Sequence, residues 1–119
     1  EGFTITTETY GYAMSAGALI FTMGDRRIIH DGASIMFHGA GFDGYGGRQS
    51  LRSLILYGRT VLPPDRVKSL ELIDAKFESI LYERTLMTKE DIKDWMYKLD
   101  ANFMSAKKAM QLGVATELK

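Results

Sequence analysis

The 119-residue chain has no cysteine, which excludes disulfides, thiolate metal sites and a cysteine nucleophile. Two histidines are too few for a multi-histidine metal cage, and no cofactor is expected. Fifteen basic and fifteen acidic residues cancel, so no charge excess points to nucleic acid or to an anionic membrane surface. No apolar run reaches the roughly 18 residues that a membrane span needs, and no secretory leader is visible. A reducing, cytoplasmic setting is expected. The chain opens on Glu1 rather than methionine, so a processed or truncated start is expected. What remains is ordinary globular composition, 45% hydrophobic and 25% charged, in a length that suits one small domain over residues 1–119.

Phe3 to Thr9 alternates apolar residues with threonine and reads as a strand broken by Gly11. Met14 to Met23 is uniformly apolar, as in a buried helix, and Gly24 ends it. Arg27 to His30 predicts a short strand, Asp31-Gly32 a turn, and Ser34 to Phe37 another apolar strand. Five glycines fall between Gly39 and Gly47, giving a loop or a strand that exposes its backbone. Arg48 to Tyr57 is compatible with a helix start. Pro63-Pro64, the only prolines, mark a break, with Asp65 as cap of the next helix. From Val67 to about Leu86, helical spacing links Leu70, Ile73, Phe77, Ile80, Leu81 and Tyr82. Thr88 and Asp91 make a capping box before a short helix with Ile92, Trp95 and Met96 on one face. Asp100 to Phe103 reads as an extended link. Ser105 caps Ala106 to Leu112, Gly113 stops that helix, and Val114 to Leu118 is a terminal strand or tail.

The most informative segment is Gly11-Tyr12-Ala13-Met14-Ser15-Ala16-Gly17. A serine framed by small residues sits where strand-like sequence becomes helix-like. Such a turn exposes the hydroxyl, leaves room for a carbonyl substrate, and aims helix-start N–H groups at a developing oxyanion. Taken alone, a serine in such a turn is usually just a small residue that permits close packing. A serine hydroxyl needs a base at neutral pH, and imidazole, with an unperturbed pKa of about 6.5, is the usual one. His38 ends the apolar run Ile35-Met36-Phe37 and precedes Gly39, so a strand end could present it. His30, before the Asp31-Gly32 turn, is assigned surface or structural duty. The glycine-rich segment lacks the Gly-Lys-Ser/Thr ending of a phosphate loop; its functional reading is an edge that pairs with an extended peptide. Asp100 is the downstream acid candidate, with a solvated turn residue as its plain reading.

Three blocks, in order and spacing, resemble the ClpP-type serine peptidases. Gly11 to Gly17 is similar to the family's nucleophile turn. Ser34-Ile35-Met36-Phe37-His38 is similar to its histidine strand. Asp100-Ala101-Asn102-Phe103-Met104-Ser105-Ala106, with Ala109, Leu112 and Gly113, resembles its acid-bearing tail. The resemblance implies an α/β, ClpP/crotonase-like fold of stacked ββα units, of which this chain would be the C-terminal portion, with a handle helix. It implies a Ser15, His38, Asp100 triad, an oxyanion donor at the Ala16 N–H, and substrate binding along Gly44, Gly46 and Gly47. It also implies hydrolysis of unfolded polypeptides inside a ring-shaped homo-oligomer, heptameric and in one or two stacked rings, fed by an AAA+ unfoldase, with neither nucleic acid nor membrane as partner.

Four departures accompany the resemblance. Aligned on Phe103, the acid position holds Ala101, and Asp100 stands one residue early; one step along an extended link turns a side chain to the other face. The family's N-terminal half, with the glycine pair that supplies a second oxyanion N–H, is expected to be missing, and such a donor supplies about 3 kcal/mol or more. The segment between His38 and Asp100 is longer than the family's, with extra residues around Leu56 to Leu72. Alanine rather than the commoner methionine follows Ser15, as in divergent, phage-like members. Rival readings are a catalytically inactive ring subunit, a phage capsid-maturation protease, a Ser-Lys dyad, and an acyl-CoA enzyme of the same fold; every lysine lies at position 68 or beyond, away from the serine block.

Overall fold

The computed structural model describes residues 2–44, 47–50, 63–98 and 103–119. The chain is a mixed α/β domain that shuttles between two small sheets. Strand β1 (Thr6–Thr9) lies in the first sheet and β2 (Tyr12–Met14) in the second, and helix α1 (Ala16–Thr22) follows. The sequence repeats that alternation with β3 (Arg26–Ile29) in the first sheet and β4 (Ser34–Met36) in the second. The hairpin β5 (Gly41–Gly44) and β6 (Gly47–Ser50) leads toward the long helix α2 (Pro64–Arg84). Helix α3 (Lys89–Lys93) passes into a π-helical turn (Asp94–Lys98), and β7 (Met104–Ser105), α4 (Ala106–Gln111) and β8 (Glu117–Leu118) close the domain.

The sheets run in the orders β1-β3-β8 and β2-β4-β7. β3 and β4 are therefore the central strands. They carry the fully buried Ile29 and Ile35, against which Phe21, Leu81, Ile92, Met104 and Val114 pack. β2 pairs with β4 in parallel, with Met14 opposite Met36, whereas β7 runs antiparallel to β4, with Met104 opposite Ile35. Both β1 and β2 are edges, and the outward side chains Tyr12 and Met14 stay exposed.

Several local expectations hold. Thr88 Oγ1 accepts from the Asp91 N–H and Asp91 Oδ2 from the Thr88 N–H, both at 3.0 Å, which completes the capping box. Ser105 Oγ accepts from the Lys108 N–H at 3.1 Å. Gly113 takes φ 69°, the left-handed value that ends a helix, while the Val114 N–H reaches the Ala109 carbonyl at 2.9 Å. The chain then becomes β8 rather than a loose tail.

Other expectations shift. The first strand contracts to Thr6–Thr9, and Tyr12–Met14 forms a strand of its own. Met14 therefore lies in β2 rather than in a helix, and α1 leaves Ile20 exposed because it covers the domain from outside. Arg48 to Ser50 lies in β6, since backbone pairing with Gly41 to Phe42 and Asp43 overrides a weak helical signal; 51–57 lie outside the described residues. α2 begins at Pro64 with Pro63 as cap, and Asp65 sits in the first turn without capping. Its buried stripe is Leu70, Asp74 and Leu81, with Ile73 and Tyr82 facing outward.

Candidate active site

Parallel pairing of β2 with β4 puts the two C-terminal strand ends side by side, and those ends are followed by Ser15 and Phe37-His38. The Ser15 N–H donates to the Met36 carbonyl at 2.9 Å, and the Ser15 carbonyl accepts the first α1 bond from the Leu19 N–H at 3.2 Å. Between these anchors the serine backbone is forced to φ 54° and ψ −122°. Among the described non-glycine residues, only Ser15 has a positive φ. A β-carbon in that conformation is strained by about 1–3 kcal/mol, and the surrounding hydrogen bonds hold it there. The turn lifts the hydroxyl away from the sheet and toward His38.

Ser15 Oγ is hydrogen-bonded to His38 Nε2. The other ring nitrogen, Nδ1, bonds the Gly39 carbonyl at 2.7 Å. A carbonyl only accepts, so Nδ1 carries the proton; in the neutral ring Nε2 is then the acceptor and the serine hydroxyl the donor. This is the tautomer a general base needs. Both side chains are half-buried.

The space beside the hydroxyl is open. Ala16 and Gly17 are exposed, and a Cβ built on Gly17 would meet no atom within 4 Å. The Ala16 N–H belongs to the first turn of α1, where helix geometry leaves N–H groups without an intrahelical acceptor. A groove lined in part by Tyr12, Met14, Gly17 and Ile20 runs alongside, and Tyr12 meets Phe103 edge to face at 5.7 Å.

Of the residues singled out in the sequence, the fold thus brings together Ser15, Ala16 and His38. Gly44 and Gly47 pair across the β5–β6 hairpin. Gly46 and Asp100 lie outside the described residues. His30 is remote in role: Nε2 bonds Glu8 Oε1 at 2.8 Å and the ring stacks on Tyr10 at 4.0 Å. The hydrogen bond from His30 holds the Glu8 carboxyl below its ordinary range.

One acidic residue escaped the sequence reading. Asp74 is 2% exposed on the inner stripe of α2, and its Oδ1 accepts the Ala40 N–H at 2.7 Å. Burial pushes its carboxyl up, against the downward pull of that hydrogen bond and of His38. The signal was present: Leu70, Asp74, Phe77 and Leu81 follow a 4-3-4 spacing, so an acid occupies a core position. Burial also pushes the Tyr97 hydroxyl up, and that group donates to Glu78 Oε1 at 2.6 Å. Among the described residues, no group of three or more His, Cys, Asp or Glu could hold a metal ion, and no helix is long and apolar enough to cross a membrane. No protein-family model matches the chain, and no curated protein sequence is significantly similar to it.

Proposed function

We propose that this chain carries a serine-hydrolase centre that cleaves peptide bonds through an acyl-enzyme. The observation that carries the reading is the Ser15 hydroxyl bonded to His38 Nε2 from a strained strand-to-helix turn. Ser15 Oγ attacks the substrate carbonyl carbon while its proton passes to His38 Nε2. The oxyanion forms beside the exposed Ala16 N–H. The imidazolium then protonates the departing amine, and water releases the acyl group by the reverse proton path. The open groove with Tyr12, Met14 and Ile20 suits apolar side chains of an extended peptide, and the β5–β6 hairpin offers backbone groups for pairing.

In this proposal the alternation of strands between two sheets, with α1 after the first pair, corresponds to the stacked ββα units of the ClpP/crotonase-like fold, with α2 as the handle. A ring-shaped, heptameric homo-oligomer fed with unfolded polypeptide by an AAA+ unfoldase completes it, with Asp100 as the acid partner of His38. The test is a fluorophosphonate probe on the full-length assembled protein, with adducts located by mass spectrometry. An adduct on Ser15 that disappears in Ser15→Ala and falls at least about 1,000-fold in rate in His38→Ala is expected. Absence of an adduct on Ser15 sinks the reading.

A further inference from the structure

The segment that carries His38 is clamped from the far side of the domain. The Gly39 N–H donates to the Met96 carbonyl at 3.0 Å, and the Ala40 N–H to Asp74 Oδ1 at 2.7 Å. Gly39 itself is buried in a tight slot: a Cβ there would lie 2.9 Å from Tyr97 Cε1 and 3.5 Å from Asp74 Oδ2. The clamp matters because the Gly39 carbonyl is the acceptor for the His38 Nδ1–H. The Ala40 N–H shares its peptide plane with the Gly39 carbonyl, and the Gly39 N–H holds the plane before it; with both pinned, that carbonyl keeps one direction and orients the imidazole.

Asp74 has more capacity than the clamp uses. Its Oδ2 is buried without a hydrogen-bond partner. A buried carboxylate oxygen with an empty acceptor position is costly to keep, and an apolar residue on this helix stripe would pack without that cost. The groups facing Asp74 are Glu78 from its own helix, Tyr97 from the π-helical turn, and His38 from the end of β4. The Tyr97 hydroxyl donates to Glu78 Oε1 and also draws the Asp74 carboxyl down. Of the three, only His38 gains positive charge, and it gains it when the serine proton is transferred.

The geometry points to Asp74 as a positioning residue for His38: through Ala40 it fixes the Gly39 carbonyl that holds the ring. The role as regards catalysis rests on the serine-hydrolase reading; the coupling of Asp74 to His38 does not. Asp74 would complement Asp100 or replace it.

The deciding measurement is the ring-nitrogen NMR spectrum of His38 in the full-length protein, wild type against Asp74→Asn, Asp74→Ala and Asp100→Asn. Asp74→Asn keeps the acceptor for Ala40, so the Nδ1–H form of the ring should persist; Asp74→Ala removes it, and the two tautomers should mix. A ring that keeps the Nδ1–H form in Asp74→Ala overturns the inference, as does a change confined to Asp100→Asn. Fluorophosphonate labelling of Ser15 supplies the second readout. Asp74→Ala should lose about tenfold or more in rate, and Asp74→Asn should restore most of it. If Asp74→Ala does not fold, Asp74→Leu, which fills the stripe without an acceptor, decides. A wild type that never labels, with a His38 tautomer that still follows Asp74, rejects the peptidase and keeps the coupling.

Discussion

Two polar centres of this domain solve opposite problems. At the start of β3, Arg27 is 8% exposed, and its guanidinium donates to four backbone carbonyls: Val114 at 2.8 Å, Gly24 at 3.0 Å, Arg84 at 3.0 Å and Gly113 at 2.8 Å. Those carbonyls lie at or just beyond the ends of α1, α2 and α4, where helices leave acceptors unfilled and the dipoles favour a cation. Four of the five guanidinium N–H groups are matched there and none is poised to react. At the ends of β2 and β4, Ser15 is strained and half-buried beside the exposed Ala16 and Gly17, and its hydroxyl meets a base in the tautomer that can take its proton. The lesson is that saturation marks a group that holds the fold, whereas strain combined with openness marks a group free to do chemistry.

The contrast can be broken most severely at Arg27. Arg27→Leu removes the guanidinium donors from the Arg84, Gly113 and Val114 carbonyls at the ends of α2 and α4, while Gly24 keeps Arg84 as donor, and should cost about 3 kcal/mol or more in urea unfolding. While folded, the variant should keep the rate at which Ser15 is labelled. A loss of labelling without a loss of stability would show that the two centres are not separate.

At Ser15 the contrast predicts stability gained by relieving strain. Ser15→Gly and Ser15→Ala both remove the hydroxyl, but only glycine adopts φ 54° without penalty. The glycine variant should be the more stable by about 1 kcal/mol in thermal unfolding. Equal stabilities would mean that the turn carries no strain.

The smallest effect concerns pH. The Asp74 carboxyl is raised above its ordinary 3.8 by burial, so the folded chain binds a proton there more tightly than the unfolded chain does. That contribution is fully present below 3.8 and is lost as pH rises through the folded value. Between those limits wild-type stability should decline with pH more steeply than that of Asp74→Asn, measured as the urea midpoint at each pH. Parallel profiles would contradict it.

Much of this was legible in the sequence because it is local. The capping box at Thr88, the cap at Ser105 and the stop at Gly113 depend on residues within a few positions of each other. Ser15 and His38 were legible as strand-end residues beside small neighbours, but their meeting depends on the parallel register of β2 and β4, a non-local pairing. The face of α2 was legible at Leu70, Phe77 and Leu81, but Ile73 and Tyr82 are apolar yet exposed, while the buried position between Leu70 and Phe77 holds an acid. Arg27 was invisible because three of its four carbonyl partners lie 57 or more residues away in sequence.

The central claim is that His38 activates the Ser15 hydroxyl. Its most direct test is the rate of fluorophosphonate addition to Ser15 as a function of pH, set beside the NMR titration of His38 in the same protein. The expected rate rises with deprotonation of His38 and shares its midpoint. A rate that ignores that midpoint, or no adduct on Ser15 at any pH, would contradict it.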